Sequence, residues 1–219
     1  MLPLIPIPVI AVTVTLLIWA ALRDDQKQVY LWKPLSTLLV ILVALLSFTT
    51  PGVKPLYTLG ITLGLVLSLG GDVGLMFKAN RWFIIGLVFF LFAQIVYSVV
   101  FTVPNGFQIE DLITAAVLLV LAALIFLYLK PGLGKMQGPV IFYILAICFM
   151  VNRAVSTHFG SFFNTTQAWL IAVGATLFWV SDLLLAVNRF RRPFRLERLG
   201  LYLYYTGQLL IALSPSYFA

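Results

Sequence analysis

At 219 residues, with 62% apolar side chains, 10% charged ones and a mean hydropathy of +1.08, the chain carries less than half the charge of an ordinary soluble domain, where charged residues make up roughly 25%. That composition excludes a soluble globular protein and predicts an all-α, polytopic membrane protein. The net charge of +7 does not point to nucleic acid, because the basic residues fall in short links between apolar stretches, where they act as topology signals.

From Leu2 onward the N-terminus is apolar with no basic stretch ahead of it, so it reads as a first span and not as a cleaved signal peptide. A bilayer crossing takes about 20 mostly apolar residues. The chain offers eight such windows, at residues 4–22, 31–49, 56–77, 82–103, 111–129, 138–157, 165–187 and 197–217. The links between them are too short for further domains, and Pro51-Gly52, Pro104-Asn105-Gly106 and Pro131-Gly132 read as turns. The expectation is one transmembrane helical domain over residues 1–219. The single cysteine, Cys148, lies in an apolar run and reads as a small buried hydrophobe, which leaves no intramolecular disulfide and no thiolate metal cluster.

Lys and Arg are divided unequally between the two sides. Links one, three, five and seven hold Arg23, Lys27, Lys33, Lys78, Arg81, Lys130, Lys135, Arg189, Arg191, Arg192, Arg195 and Arg198, which is 12 of the 14. The other side has Lys54 and Arg153 with the acidic pair Glu110 and Asp111. By the positive-inside rule the odd links face the cytoplasm and both termini face away from it, in the inner membrane if the host is bacterial.

Two acids interrupt apolar spans. Gly174 to Arg192 is an apolar helix broken by Ser181-Asp182, and Gly70 to Trp82 repeats the arrangement with Asp72. A carboxylate inside hydrocarbon costs about 3 kcal/mol even on a lenient scale, so its default reading is a partnered or functional group facing the bundle. Spans three and seven run in the same direction, and each carries its aspartate about five residues before the cytoplasmic end, roughly 8 Å inside the boundary at 1.5 Å per residue. At matched depth the two can meet.

The match extends beyond the acids. Asp72 maps to Asp182 at an offset of 110, and Gly86, Phe90 and Gln94 map to Gly200, Tyr204 and Gln208 at an offset of 114, each trio on one helix face. This suggests two four-helix halves in parallel orientation with the site at their interface, as parallel repeats arrange it in some transporters. Gly60, Gly64, Ser68 and Asp72, four residues apart, make a small-residue stripe that admits a close neighbour on the acid-bearing face.

Each polar group has a structural reading beside its functional one. The aspartates can be structural ions, with Lys33 as the obvious partner. Against that, two acids meet one lysine, and two nearby carboxylates in a poorly solvated place resist ionising together, so one is expected to hold a proton. A protonated acid beside an ionised one is acid/base equipment. Gln94 and Gln208 read either as interhelical hydrogen-bonding groups or, with Tyr97, Tyr204 and Tyr205, as the polar lining of a cavity above the aspartates. Arg153 is expected to snorkel to the outer headgroups, and the arginine run from Arg189 to Arg198 acts as a stop signal that also attracts anionic lipid. His158 falls in an outer link, so no Ser-His-Asp arrangement is available, and no His/Cys/carboxylate cluster predicts a metal.

The segments KPLSTLL from Lys33, SLGGDVGLMF from Ser68, GLVFFLFAQIVY from Gly86 and GATLFWVSDLLLAVNRF from Gly174 together resemble the YhhN-like lysoplasmalogenases, in the same order and at similar spacing over most of the chain. The resemblance implies hydrolysis of the vinyl-ether bond of a lysoplasmalogen to a fatty aldehyde and glycerophosphoethanolamine or glycerophosphocholine. It also implies Asp72 and Asp182 as catalytic acids, which the Lys and Arg count puts near the cytoplasmic leaflet. Lys33, Gln94, Tyr97, Tyr205 and Gln208 are then candidates for substrate binding. The implied partners are a lysophospholipid and the membrane lipid around it, with no cofactor, metal or obligatory protein partner. Gln94 is a departure, since family members often carry His there and a glutamine does not transfer protons. A lipid or proton-coupled small-molecule transporter using the same aspartates is the rival reading. An intramembrane aspartyl protease is disfavoured, because Leu69 precedes Gly70-Gly71-Asp72 where its GxGD signature requires Gly, and no Pro-Ala-Leu motif accompanies it.

Overall fold

The computed structural model describes residues 2–77, 79–191 and 197–218, with nothing assigned to the side chains of residues 197 and 198. Among the described residues it is all-helical: α1 (Ile7–Leu22), α2 (Gln26–Leu46), α3 (Pro55–Met76), α4 (Asn80–Asn105), α5 (Asp111–Leu133), α6 (Gln137–Ser156), α7 (Thr165–Phe190) and α8 (Glu197–Leu213). Of the basic residues that set the expected orientation, Lys78, Arg192 and Arg195 lie outside the described residues, as does the side chain of Arg198.

Helix ends follow local chemistry. Asp25 caps α2 by accepting from Gln28 N–H at 3.2 Å, which starts that helix five residues before the apolar window. Asn164 and Gln167 form a reciprocal capping box at the start of α7. Two proline-containing stretches expected as turns are helical. Both α4 and α5 continue past Pro104 and Pro131, and the chain turns at the next glycine able to take positive φ, Gly106 at +70° and Gly134 at +49°.

Among the described residues, six stretches are long and apolar enough to cross a membrane: Leu2–Leu22, Gln26–Thr49, Pro55–Met76, Asn80–Asn105, Asp111–Ser156 and Thr165–Phe190. The count differs from the expected eight for two reasons. Asp111–Ser156 runs helically for 46 residues through a 3-10 turn and contains both α5 and α6, and α8 has only 17 residues. The α5–α6 stretch is a hairpin, since Asp111 at the start of α5 reaches Arg153 near the end of α6.

The closest neighbours are sequential pairs: α1 with α2, α3 with α4, α5 with α6 and α7 with α8, while α8 also packs on α1, α2 and α3. Glycine sets the approach of two of these pairs. A Cβ on Gly74 would lie 2.7 Å from Gly86 Cα, and one on Gly174 would lie 2.8 Å from the Gly207 carbonyl oxygen. On the small-residue stripe of α3, Gly64 lies under the Tyr97 ring, with a Cβ there falling 2.2 Å from a ring carbon. Large apolar side chains such as Leu112, Ile113, Val120 and Leu127 of α5 point outward, as a lipid-facing surface requires.

Candidate active site

Asp72 of α3 is 1% exposed and its carboxylate is held from two other helices. Lys33 of α2 sits 3.3 Å from Oδ1. Oδ2 accepts from Thr37 Oγ1 at 2.6 Å and from the Tyr204 hydroxyl of α8 at 2.8 Å. Lys33 and Thr37 are four residues apart, so one face of α2 presents both groups to the acid. The Tyr205 hydroxyl donates to the Lys33 carbonyl at 2.9 Å and lies 3.3 Å from Thr37 Oγ1. A cation and two neutral donors converge on one buried carboxylate, which is how a charge removed from water is compensated.

Asp182 has different neighbours. Its Oδ2 accepts from the Tyr143 hydroxyl of α6 and, at 3.4 Å, from Gln94 Nε2 of α4. Gln94 is fully buried and its Oε1 has no hydrogen-bond partner among the described residues. Tyr143 escapes the sequence analysis. Its one signal is position: a hydroxyl in the first turns of an apolar helix that starts at the end of the bundle where span seven closes.

Both carboxylates wall a single cavity of about 360 Å³, which Lys33, Ser181 and Tyr204 also line. Asp24 and Gln26 from the first link contribute to it, so it lies at the end of the bundle that carries the odd links. The volume falls in the range of small-molecule sites. The Arg189 guanidinium donates to the Asn80 side chain at the same end, tying the close of α7 to the start of α4.

The remaining candidates are placed elsewhere. Tyr97 donates to Gln208 Oε1 at 2.9 Å, and Gln208 Nε2 donates to Ser68 Oγ at 3.1 Å, forming a buried chain from α4 through α8 to α3. Tyr97, Tyr205 and Gln208 do not line the cavity. Gln94 and Gln208, paired by the repeat, thus part company: one reaches an acid and the other links helices.

The far end of the bundle differs from expectation. Arg153 is 0% exposed and does not snorkel. It pairs with Asp111 at 2.5 Å, donates to the Gly106 carbonyl at 2.5 Å and to Thr102 Oγ1 at 3.0 Å, and so joins α4, α5 and α6. The physical reason is that a complete set of acceptors lies within reach inside the bundle, so exposure to the headgroups offers no gain. His158 packs edge-on to Trp169 and is likewise remote from the acids.

An all-helical membrane protein with two intramembrane acids on one cavity is the class this geometry defines. The chain belongs to the YhhN family: the family model matches residues 28–215, which include all four motif segments. Among its relatives, a protein of Dictyostelium discoideum named "Lysoplasmalogenase homolog" is 27% identical over 97% of this chain and 77% of its own length. "Lysoplasmalogenase TMEM86A" of Bos taurus and of Homo sapiens are 33% and 34% identical, in each case over 70% of this chain and 64% of the relative. The aligned part thus spans less than two thirds of the mammalian proteins. No solved structure matches the chain.

Proposed function

We propose that this protein hydrolyses the vinyl-ether bond of a lysoplasmalogen, releasing a fatty aldehyde and glycerophosphoethanolamine or glycerophosphocholine, with Asp72 and Asp182 as the acid/base pair. The observation that carries the reading is that both carboxylates wall one cavity with Lys33 in a protein whose relatives are named lysoplasmalogenase.

The two environments divide the roles. Asp72, with the Lys33 ammonium and two hydroxyl donors, is equipped to stay ionised. Asp182 is then the general acid. It delivers its proton to the β-carbon of the vinyl ether, the π-bond electrons moving to form the C–H bond and leaving an oxocarbenium ion on the ether side. The Asp72 anion stabilises that cation, much as paired carboxylates serve glycosidases. Water adds to the cationic carbon and gives up its proton to the Asp182 carboxylate, which restores the acid. The hemiacetal then collapses to aldehyde and glycerol hydroxyl, one water having been consumed. Lys33 has further N–H donors free to meet the lysolipid phosphate at the mouth of the cavity.

In this reading the whole chain acts as one membrane domain of two four-helix halves. The α5–α6 hairpin makes two crossings and α8 makes another, for eight in all. The odd links and the site face the cytoplasmic leaflet, where a lysolipid enters from the side. The test is aldehyde release from lysoplasmenylethanolamine by the purified protein in detergent, beside folded Asp72→Asn and Asp182→Asn proteins. Aldehyde from the native protein alone supports the pair; none from well-folded native protein overturns the reading, and lipid moved across a vesicle unchanged would place the protein among transporters.

A further inference from the structure

A second space meets the catalytic cavity at Asp182. It is a cleft among α4, α5, α6 and α7, walled by side chains that include Leu87, Leu129, Ile144, Ile147 and Trp179. Among its lining residues Asp182 alone is charged and Tyr143 alone carries a hydroxyl. Asp182 and Leu185 belong to the walls of both spaces, so the polar cavity and the apolar cleft are contiguous at the acid.

We propose that this cleft binds the unbranched hydrocarbon chain of the lysolipid, an inference that rests on the hydrolase reading above. The chemistry of the substrate commits the occupant. A vinyl ether lies where a polar glycerophosphate ends and an alkyl chain begins, so its reacting carbons must sit where a polar space meets an apolar one. Asp182 occupies that junction. With the headgroup beside Lys33 and the chain in the cleft, the β-carbon comes to the Asp182 carboxyl, and the chain keeps bulk water from the acid on that side. A chain directed elsewhere would leave the β-carbon without an acid, or the cleft open beside it.

Ile147 lies one helical turn beyond Tyr143 on the same face of α6, in the path of a chain that starts at Asp182. Ile147→Trp fills that path. The expected result is a fall of about tenfold or more in kcat/KM for a long-chain lysoplasmenylethanolamine relative to a short-chain one. An equal fall for both chains, or no fall, overturns the assignment.

A second measurement on the native protein needs neither a folded variant nor turnover. A saturated 1-O-alkyl lysophosphoethanolamine with a diazirine in its chain is photolysed on the protein, with and without excess unlabelled alkyl lysolipid. Competed labelling at Ile144, Ile147 or Trp179 is expected. Competed labelling confined to other helices, or labelling of the cleft that excess lysolipid does not reduce, as surrounding bilayer lipid would give, overturns it. If the native protein releases no aldehyde from either chain length, the hydrolase reading fails on that result, while the cleft is judged on the label alone.

Discussion

In the Lys33–Asp72 pair, each member loses its buried counter-ion when the other is removed. Lys33→Met should destabilise the protein by about 3–5 kcal/mol, the cost of an unpaired buried charge, and lower the thermal unfolding midpoint in detergent accordingly. Adding Asp72→Asn to that variant removes the stranded charge and should recover most of the stability without recovering aldehyde release. Asp182→Asn, which strands no ion of the described pairs, should leave the midpoint near native and lower turnover by about 10²–10⁴-fold, the range for loss of a general acid. Arg153 offers the contrast at the far end. Arg153→Met strands the Asp111 carboxylate and should lower the midpoint to a similar degree, yet turnover per folded molecule should stay native, since it touches neither acid nor cavity. An equal loss of turnover in both Lys33 and Arg153 variants at matched folded fraction would show that the pair near Asp72 serves stability alone.

Between elements, the acids are linked crosswise. The acid of α3 is met by Tyr204 of α8, and the acid of α7 is met by Gln94 of α4, so each half of the proposed repeat supplies a group to the carboxylate of the other. The spacing of the helices therefore bears directly on the site. Gly64 lies two turns from Asp72 on the same face of α3, and its Tyr97 neighbour is also bonded to Gln208 of α8. Gly64→Ala puts a methyl group into that ring and should cost about 1–3 kcal/mol by overpacking. Because the ring cannot yield without breaking its bond to Gln208, α3 should shift and turnover should fall as well. Unfolding and aldehyde assays on this one variant, with Gly64→Ala/Tyr97→Phe beside it, check the point: the double variant, freed of the hydroxyl tether, should regain part of both.

Across the whole molecule, the placement of the cavity at the end bearing the odd links joins topology to substrate access. In a Cys148→Ala background, single cysteines replacing Lys27 and Ala79 should resist a membrane-impermeant maleimide in intact cells and react once the membrane is opened. Cysteines replacing Thr49 and Phe107 should react from outside without permeabilisation. The reverse pattern would invert the orientation and move the cavity to the opposite leaflet.

The membrane class, the position of nearly every helix and the placement of Asp72 and Asp182 toward the C-terminal ends of α3 and α7 are determined by the sequence itself, since apolar run length and the position of an acid within it are local properties. Helix ends near proline were less legible, because a membrane helix tolerates proline inside it, as at Pro104 and Pro131, and the turn waits for a glycine at positive φ. Only the tertiary structure decided which acid receives the lysine, that Tyr143 meets Asp182, that Gln208 links helices while Gln94 reaches a carboxylate, and that Arg153 is buried. Each of these depends on the rotation of one helix about its axis relative to a neighbour distant in sequence. That rotation is set by packing, such as Gly64 against Tyr97 and Gly174 against Gly207, and sequence spacing does not encode it.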